Sequence, residues 1–472
     1  MTDLYGDESI ILRIAELQEG KIQFTDTTNA ERLYRECGSE IRYNSAWRKW
    51  LVFNGRRWVI DDGALIQERG LSMVRGIYND LQKTSDYRDR IEIERYAILC
   101  ESVRRRESLI KAASWITALN IESEKVDTNP WLLCVKNGVI DLSTGEFREH
   151  RKDDFITKMA EVDYDPAAEC PEWRKFVREI MDYNNELIMY LQAISGWAVT
   201  GDTSEQTMFI LYGTGANGKS TFINTLMALL GDYAIATPTE TFMVRKGDQI
   251  GNDLARLRGT RLVTTTETEL GKKLAEPLIK QITGNDRITA RFLYGEFFNF
   301  TPTFKVFLAT NHKPSIKGTD HGIWRRIKLV PFVNRIPEEK QDKHLEEKLI
   351  AEASGILNWL LEGVRRWRKE GLKAPDIVLK ATNEYRGEMD VIGNFIKDCC
   401  VQKEGILTKV KDIYVAYQQW CVANNERTVS DRYFSLRLQE IGFDRSRTSE
   451  TRYWKNLGLK ADDREQGIGN RE

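Results

Sequence analysis

Residues 207–221, TMFILYGTGANGKST, restrict what this chain can fold into more than any other stretch. An apolar run from Met208 to Tyr212 stops at Gly213, and a small-residue loop follows. Lys219, Ser220 and Thr221 then open an amphipathic run, with Phe222, Leu226, Leu229 and Leu230 at helical spacing and Gly231 as C-cap. The spacing is Gly-x-x-x-x-Gly-Lys-Ser between a strand and a helix, the pattern of a phosphate-binding loop. Glycine at 213, 215 and 218 lets the backbone enter positive φ. The N–H groups of the loop, which also holds Thr214, Ala216 and Asn217, then turn inward as a nest for phosphate oxygens. The helix adds its positive N-terminal end. Lys219 brings a mobile charge to the β and γ phosphates, and the Ser220 hydroxyl is placed to ligate Mg²⁺. The cofactors expected from this stretch are ATP and Mg²⁺.

Three later strands fit around it. RLVTTTETEL (261–270) is β-branched and ends at Glu267, with Glu269 two residues on. An acid at the end of a neighbouring parallel strand suits a Mg²⁺–water shell and an attacking water, so Glu267 joins Ser220 as a metal candidate. FKVFLATN (304–311) ends at Asn311, whose amide is placed to hold that water, although asparagine at a strand end is also a common turn residue. RIKLVPF (326–332) follows Trp324-Arg325-Arg326. Strands alternating with helices predict an α/β fold, a parallel sheet with ligand at the strand C-termini.

The 472 residues carry a net charge of −1, so any surface for nucleic acid must be local. No apolar run approaches the roughly 20 residues that span a bilayer, and the acidic N-terminus lacks the basic region of a secretory signal. Seven cysteines without CxxC pairing and four scattered histidines argue against a zinc site or disulfide framework, and a cytoplasmic setting fits. Near the start, RYNSAWRKWLVFNGRRWVIDDG sets two alternating runs about Asn54-Gly55, which predicts a type I′ hairpin. Its Trp47, Trp50 and Trp58, among arginines and lysines, suit either base stacking or a core. Residues 64–123 are helical in period, and Arg104, Arg105 and Arg106 read as a solvated face. Short strands are expected in NGVIDL and GEFREH, and helices over 171–198.

Taken together, GTGANGKST, the Glu-Thr-Glu at 267–269, LATNHKP and IWRRI resemble superfamily 3 helicases, and more closely the phage, plasmid and poxvirus primase-helicase family. IKQITGNDRITARFLY (279–294) matches that family between the second and third strands. RYNSAWRKWLVFNGRRW, VKNGVIDLSTGEFREH and YDPAAECPEW resemble its helicase-associated N-terminal domain. The resemblance implies an AAA+-type ATPase that assembles as a ring, a hexamer, on DNA. It gives Lys219 and Ser220 to phosphate and Mg²⁺, Glu267 to the water, and Asn311 to sensing. Arg326, or its neighbour Arg325, would be a finger supplied to the next subunit. It also implies a DNA-gripping hairpin in RITARFLYGEFFNF, with Arg287, Arg291 and Tyr294 as candidates and no Lys or His at the apex. No Asp-x-Asp pair precedes the N-terminal region, so a helicase without its own primase is expected, with a separate primase or polymerase as partner.

Residues 371–390, containing Pro375, read as a linker. Beyond it, VIGNFIKDCCV, KDIYVAYQQWCVANN and TVSDRYFSLRLQEIGF read as helices. The last has Ser430 as N-cap and Phe434, Leu436, Leu438 and Ile441 as its apolar residues. RSRTSETRYWKNLGL reads as two strands, completing a winged helix. Residues 401–460 hold 11 Lys and Arg against 7 Asp and Glu. Arg432 and Arg437 on the helix and Arg445, Arg447 and Arg452 in the wing are the DNA candidates there. The expected division is therefore 1–168 helicase-associated, 169–200 helical collar, 201–370 ATPase, 371–390 linker, 391–461 winged helix and 462–472 a disordered tail. Two functions fit: a replicative DNA helicase of a mobile element, moving 3′ to 5′, or an origin-binding loader that uses ATP as an assembly switch.

Overall fold

In the computed structural model, the described residues are 24–244, 252–266, 271–291, 297–316, 318, 321–424, 426–448 and 451–460. At its centre lie five parallel strands: β7 (Met208–Tyr212), β8 (Ala234–Ala236), β9 (Leu262–Thr266), β12 (Lys305–Thr310) and β13 (Ile327–Pro331), in the order β13-β7-β12-β9-β8. Four of these were expected; β8 is too short and mixed to show a strand period.

Strand alternation divides the core in two. Phe209, Leu211, Leu262, Phe307, Ala309 and Val330 face one layer, packed with Trp173, Leu191, Phe222 and Leu360. Met208, Ile210, Val263, Val306, Leu308 and Leu329 face the other, with Leu278, Ile282, Trp324 and Tyr385. Covering both faces is why these strands read as near-continuous apolar runs. In the first layer the helices Asn185–Val199 and Ala353–Glu370 cross at two glycines. A Cβ on Gly196 would sit 2.3 Å from the Gly363 carbonyl carbon.

The N-terminal unit begins with the helix Asp26–Cys37, followed by the antiparallel β1 (Ile41–Asn44), β2 (Lys49–Phe53) and β3 (Trp58–Asp61). Three helices, Ala64–Gly76, Tyr87–Cys100 and Val103–Ala113, follow. A second sheet holds β4 (Leu132–Val135), β5 (Gly138–Asp141) and β6 (Phe147–Arg148). Arg104 and Arg105 are exposed and Arg106 half-buried. The expected type I′ turn is not formed. Pairing ends at Phe53↔Trp58, Gly55 alone has positive φ, and the Asn54 side chain accepts from the N–H groups of Arg56 and Arg57 at 3.0 and 2.9 Å. The asparagine therefore closes a longer loop through its amide instead of entering the left-handed region. Trp50 and Trp58 are buried. They belong to the core and offer no face for base stacking.

Residues 371–390 are a linker in expectation only. Asp376–Met389 is a helix laid on β13. Thr382 Oγ1 accepts from Leu329 N at 3.1 Å, and buried Tyr385 donates to the Pro314 carbonyl. The C-terminal unit has the helices Val391–Cys399, Val410–Ala423 and Asp431–Ile441, with Ser430 capping the last. Its sheet has three antiparallel strands, β14 (Cys400–Lys409), β16 (Arg452–Leu459) and β15 (Arg445–Arg447), in that order. β14 was not foreseen, since its Lys403-Glu404-Gly405 centre interrupts any apolar period. Phe395, Tyr417, Phe434, Leu438 and Trp454 form the core here, whereas Leu436 and Ile441 are exposed.

Candidate nucleotide site

The loop after β7 is held by its own backbone and by the end of β13. Gly215, Ala216 and Gly218 have positive φ (108°, 50° and 77°). Gly213 does not, contrary to expectation; space makes it glycine instead. A Cβ there would lie 2.1 Å from Asn217 Nδ2 and 2.4 Å from the Phe332 carbonyl oxygen. Asn217 Nδ2 donates to that same carbonyl at 3.1 Å, and Ile336 N donates to Ala216 O at 2.7 Å. The helix Lys219–Leu230 starts at Gly218.

Lys219 is only 6% exposed. Its ammonium donates to Gly213 O and Asn217 Oδ1, both at 2.8 Å, and to Asn311 Oδ1 at 3.1 Å. Burial pushes its pKa down to about 8. Thr214 and Ser220 are exposed and Thr221 half-buried. Residues 215–221 line one wall of a cleft of about 640 Å³, together with Thr266, Ala309, Thr310 and Asn311 from the ends of β9 and β12. Lys219, Ser220 and Asn311 are thus brought together as expected. Thr266 is the last described residue of β9; Glu267 and Glu269 lie outside the described residues.

The opposite wall was not foreseen. It comes from the helix Pro171–Ile180, through Glu172, Lys175, Phe176 and Glu179, and from the segment 336–345, through Ile336 and Leu345. Nothing in the pattern of either stretch points to the loop, because the contact is made only by tertiary packing. A Cβ on Gly218 would meet Ile180 at 2.5 Å. Among the described residues no group of three or more His, Cys, Asp or Glu is placed to hold a metal ion, and no helix is long and apolar enough to cross a membrane.

Arg325 and Arg326 are elsewhere. Ile327 pairs with Met208 and Pro331 with Tyr212, so the arginines stand at the N-terminal end of β13, about 20 Å along the sheet from the loop. Arg325 is exposed and donates to Gln206 Oε1 at 2.7 Å; Arg326 is half-buried and donates to Gly322 O at 2.6 Å. The expected hairpin is present as β10 (Ile288–Ala290) against β11 (Phe298–Phe300). Arg287 and Arg291 are exposed at its two ends, the latter over the Phe297 ring at 4.8 Å, and Tyr294 lies outside the described residues. In the C-terminal unit Arg432, Arg447 and Arg452 are exposed. Arg437 is paired with Glu440 at 2.7 Å, and Arg445 stacks on Trp454 at 4.5 Å.

Three family models match the chain: "D5 N terminal like" over residues 30–182, a family of unknown function over 211–326, and "Poxvirus D5 protein-like" over 387–461. A protein of Acanthamoeba polyphaga mimivirus that bears a helicase name is 28% identical over 79% of this chain and 43% of its own length. One of Invertebrate iridescent virus 3, also with a helicase name, is 24% identical over 64% and 36%. A protein of African swine fever virus that bears a primase name is 25% identical over 68% and 36%. The chain thus spans less than half the length of these relatives. The apo structure of the NrS-1 C-terminal region shares the fold, with a TM-score of 0.53 over 90% of this chain and 98% of that one, at 10% identity.

Proposed function

This chain belongs to the D5-like primase-helicase family of superfamily 3, and from that premise we propose that it is an ATP-driven, ring-forming DNA helicase serving replication of a virus, phage or plasmid. The observation that carries the reading is the convergence of Lys219, Ser220 and Asn311 on one cleft at the C-terminal ends of parallel strands.

In this reading 213–221 is the phosphate loop of an AAA+-type domain. Two of the three Lys219 hydrogen bonds stay within the loop and orient the ammonium. The third, to Asn311, exchanges for a phosphate oxygen. Asn311 Oδ1 is then released to hold the water that attacks the γ-phosphorus as the β–γ bridge bond breaks. Glu267, next in the chain after Thr266, takes the proton from that water. The exposed Ser220 hydroxyl, in the same cleft as Thr266, would hold a Mg²⁺ ion with Glu267 as the acid of its shell, and the ion would neutralise phosphate charge.

Arg325 and Arg326 are too far from their own loop to reach its phosphates. The reading therefore places one of them in the site of the next copy, which ties hydrolysis to a closed ring, a hexamer by family likeness. Arg287, Arg291 and Tyr294 of the hairpin would follow DNA in the pore, in the family's 3′-to-5′ direction. The C-terminal unit is read as a winged helix. Its exposed Arg432, Arg447 and Arg452 would meet DNA phosphate, with Arg437 and Arg445 beside them.

The test is ATP hydrolysis with and without single-stranded DNA, and strand separation on a fork, both at stated salt. The reading expects DNA-stimulated hydrolysis and unwinding, each abolished in Lys219→Ala. A Lys219→Ala protein that still unwinds would remove the site assignment. Sequence-specific protection of duplex without unwinding would favour the loader.

A further inference from the structure

We infer that Arg258 is a positioning residue that clamps the β10–β11 hairpin to the N-terminal unit, at the end of the ladder nearest its connecting loop, and so sets how the hairpin meets DNA. The inference rests on the reading of that hairpin as a DNA element and goes beyond it, because Arg258 lies outside both the nucleotide cleft and the hairpin.

The guanidinium of Arg258 lies 4.3 Å from the Trp47 ring centroid and 5.8 Å from that of Phe298. A planar cation between two aromatic faces is held by both, and partial burial strengthens each contact. Its Nη2 also donates to the Ser123 carbonyl at 2.8 Å. Asp127 and Glu124 are close enough to favour its charge against the cost of burial.

Trp47 and Ser123 belong to one rigid body. Fully buried Asn44 accepts from Trp47 N at 2.9 Å and donates to Ile121 O at 3.0 Å and Ser123 Oγ at 3.2 Å. Arg258 thus grips the N-terminal unit at two points that cannot move apart. On the other side, Phe298 pairs across the hairpin with Ala290, the residue before Arg291. Leu254, Ala255 and Leu257, just before Arg258, share a core with Ile288, Ala290 and Phe300. The hairpin strands are only three residues long each, so their tilt is set by what packs against them.

The experiment compares full-length wild type, Arg258→Ala, Arg258→Lys, Trp47→Leu and the Trp47→Leu/Arg258→Ala double variant. It reads basal ATP turnover, the oligo-dT concentration that half-saturates stimulation, and thermal unfolding. The inference expects basal turnover within about twofold of wild type and a half-saturating DNA concentration about tenfold higher in Arg258→Ala. Arg258→Lys should fall between, because an ammonium keeps the charge and loses the planar stack. The double variant should be no worse than Arg258→Ala, since both changes open the same clamp. Unchanged half-saturation in all variants overturns the inference. So does basal turnover that falls in step with DNA response, the mark of a merely structural contact. A wild type that hydrolyses ATP with no response to DNA overturns the hairpin reading itself, and the inference with it.

Discussion

The two ends of the central sheet each hold a buried lysine. At the C-terminal end Lys219 bonds two loop acceptors and one strand-end amide, and it faces a cleft. At the N-terminal end Lys305, 1% exposed, donates to the backbone carbonyls of Thr200, Asp202 and Thr303. It lies over the Trp197 ring, and nearby Arg261 is spent on the carbonyls of Val199 and Leu132. Burial, with Arg261 adding to it, pushes the Lys305 pKa well below the usual lysine range. The chemistry of the two ammonium groups is the same. What differs is whether an acceptor can be exchanged. In the proposed reading Lys219 trades Asn311 for a phosphate oxygen, whereas every hydrogen-bond acceptor of Lys305 is a backbone carbonyl. A buried cation is therefore a candidate for function only where one of its partners is replaceable.

The sharpest test of the contrast is to remove each lysine. Lys219→Ala should lower ATP turnover by at least about a hundredfold while thermal unfolding stays near wild type. Lys305→Ala should do the reverse. It leaves the buried Thr200 carbonyl and the part-buried Asp202 and Thr303 carbonyls short of a donor and a cavity beside Trp197, at a cost of about 2–5 kcal/mol in denaturant unfolding, with turnover per folded molecule retained. Equal effects of the two on turnover would erase the distinction.

Titration sharpens the same point. With its pKa pushed down to about 8, free Lys219 loses its charge as pH rises through that value. The kcat/KM for ATP should then fall about tenfold per pH unit above 8, while kcat, measured with phosphate holding the ammonium charged, persists to higher pH. Lys219→Arg, slower overall, should lack that alkaline limb. Stability moves the other way. Between pH 8 and the ordinary lysine pKa the unfolded chain holds more protons, so this group's contribution rises with pH. The smallest effect is expected for a pair whose carboxylate is exposed. Glu440→Gln, which frees Arg437, should change stability by under about 0.5 kcal/mol in the same unfolding assay.

What was legible in the sequence follows from how the site is assembled. Residues 213–221 are contiguous, and most residue types there answer a local need, so the loop could be read directly; the reason for Gly213 lies instead in the Phe332 carbonyl packed against it. Asn311 could be placed because a run of five apolar or β-branched residues, Val306 to Thr310, delivers it. The wall from Phe176 and Ile336 could not, since it depends on which helix packs on which loop. The helix Asp376–Met389 did carry a signal. Val378, Thr382 and Tyr385 recur at helical spacing and are all buried, but a stretch containing Pro375 reads as a linker. Proline there stands at the N-cap, where it costs no helix bond. Asn54-Gly55 misled for the opposite reason. A strong dipeptide signal was taken as a two-residue turn, when the asparagine side chain closed a longer one.

The central claim is that hydrolysis is completed by two copies, one holding the triphosphate and the next supplying an arginine. The most direct measurement mixes Lys219→Ala with Arg326→Ala, and in parallel with Arg325→Ala, at equal concentration with DNA present. Lys219→Ala and the variant of whichever arginine is the finger should each be inactive alone, while the other arginine variant keeps its turnover. Random mixing in a ring should leave about a quarter of interfaces with both an intact lysine and an intact arginine, and ATP turnover should recover toward that fraction in one of the two mixtures. If neither mixture recovers activity, or if the arginine variants alone turn over at the wild-type rate, the shared site is contradicted.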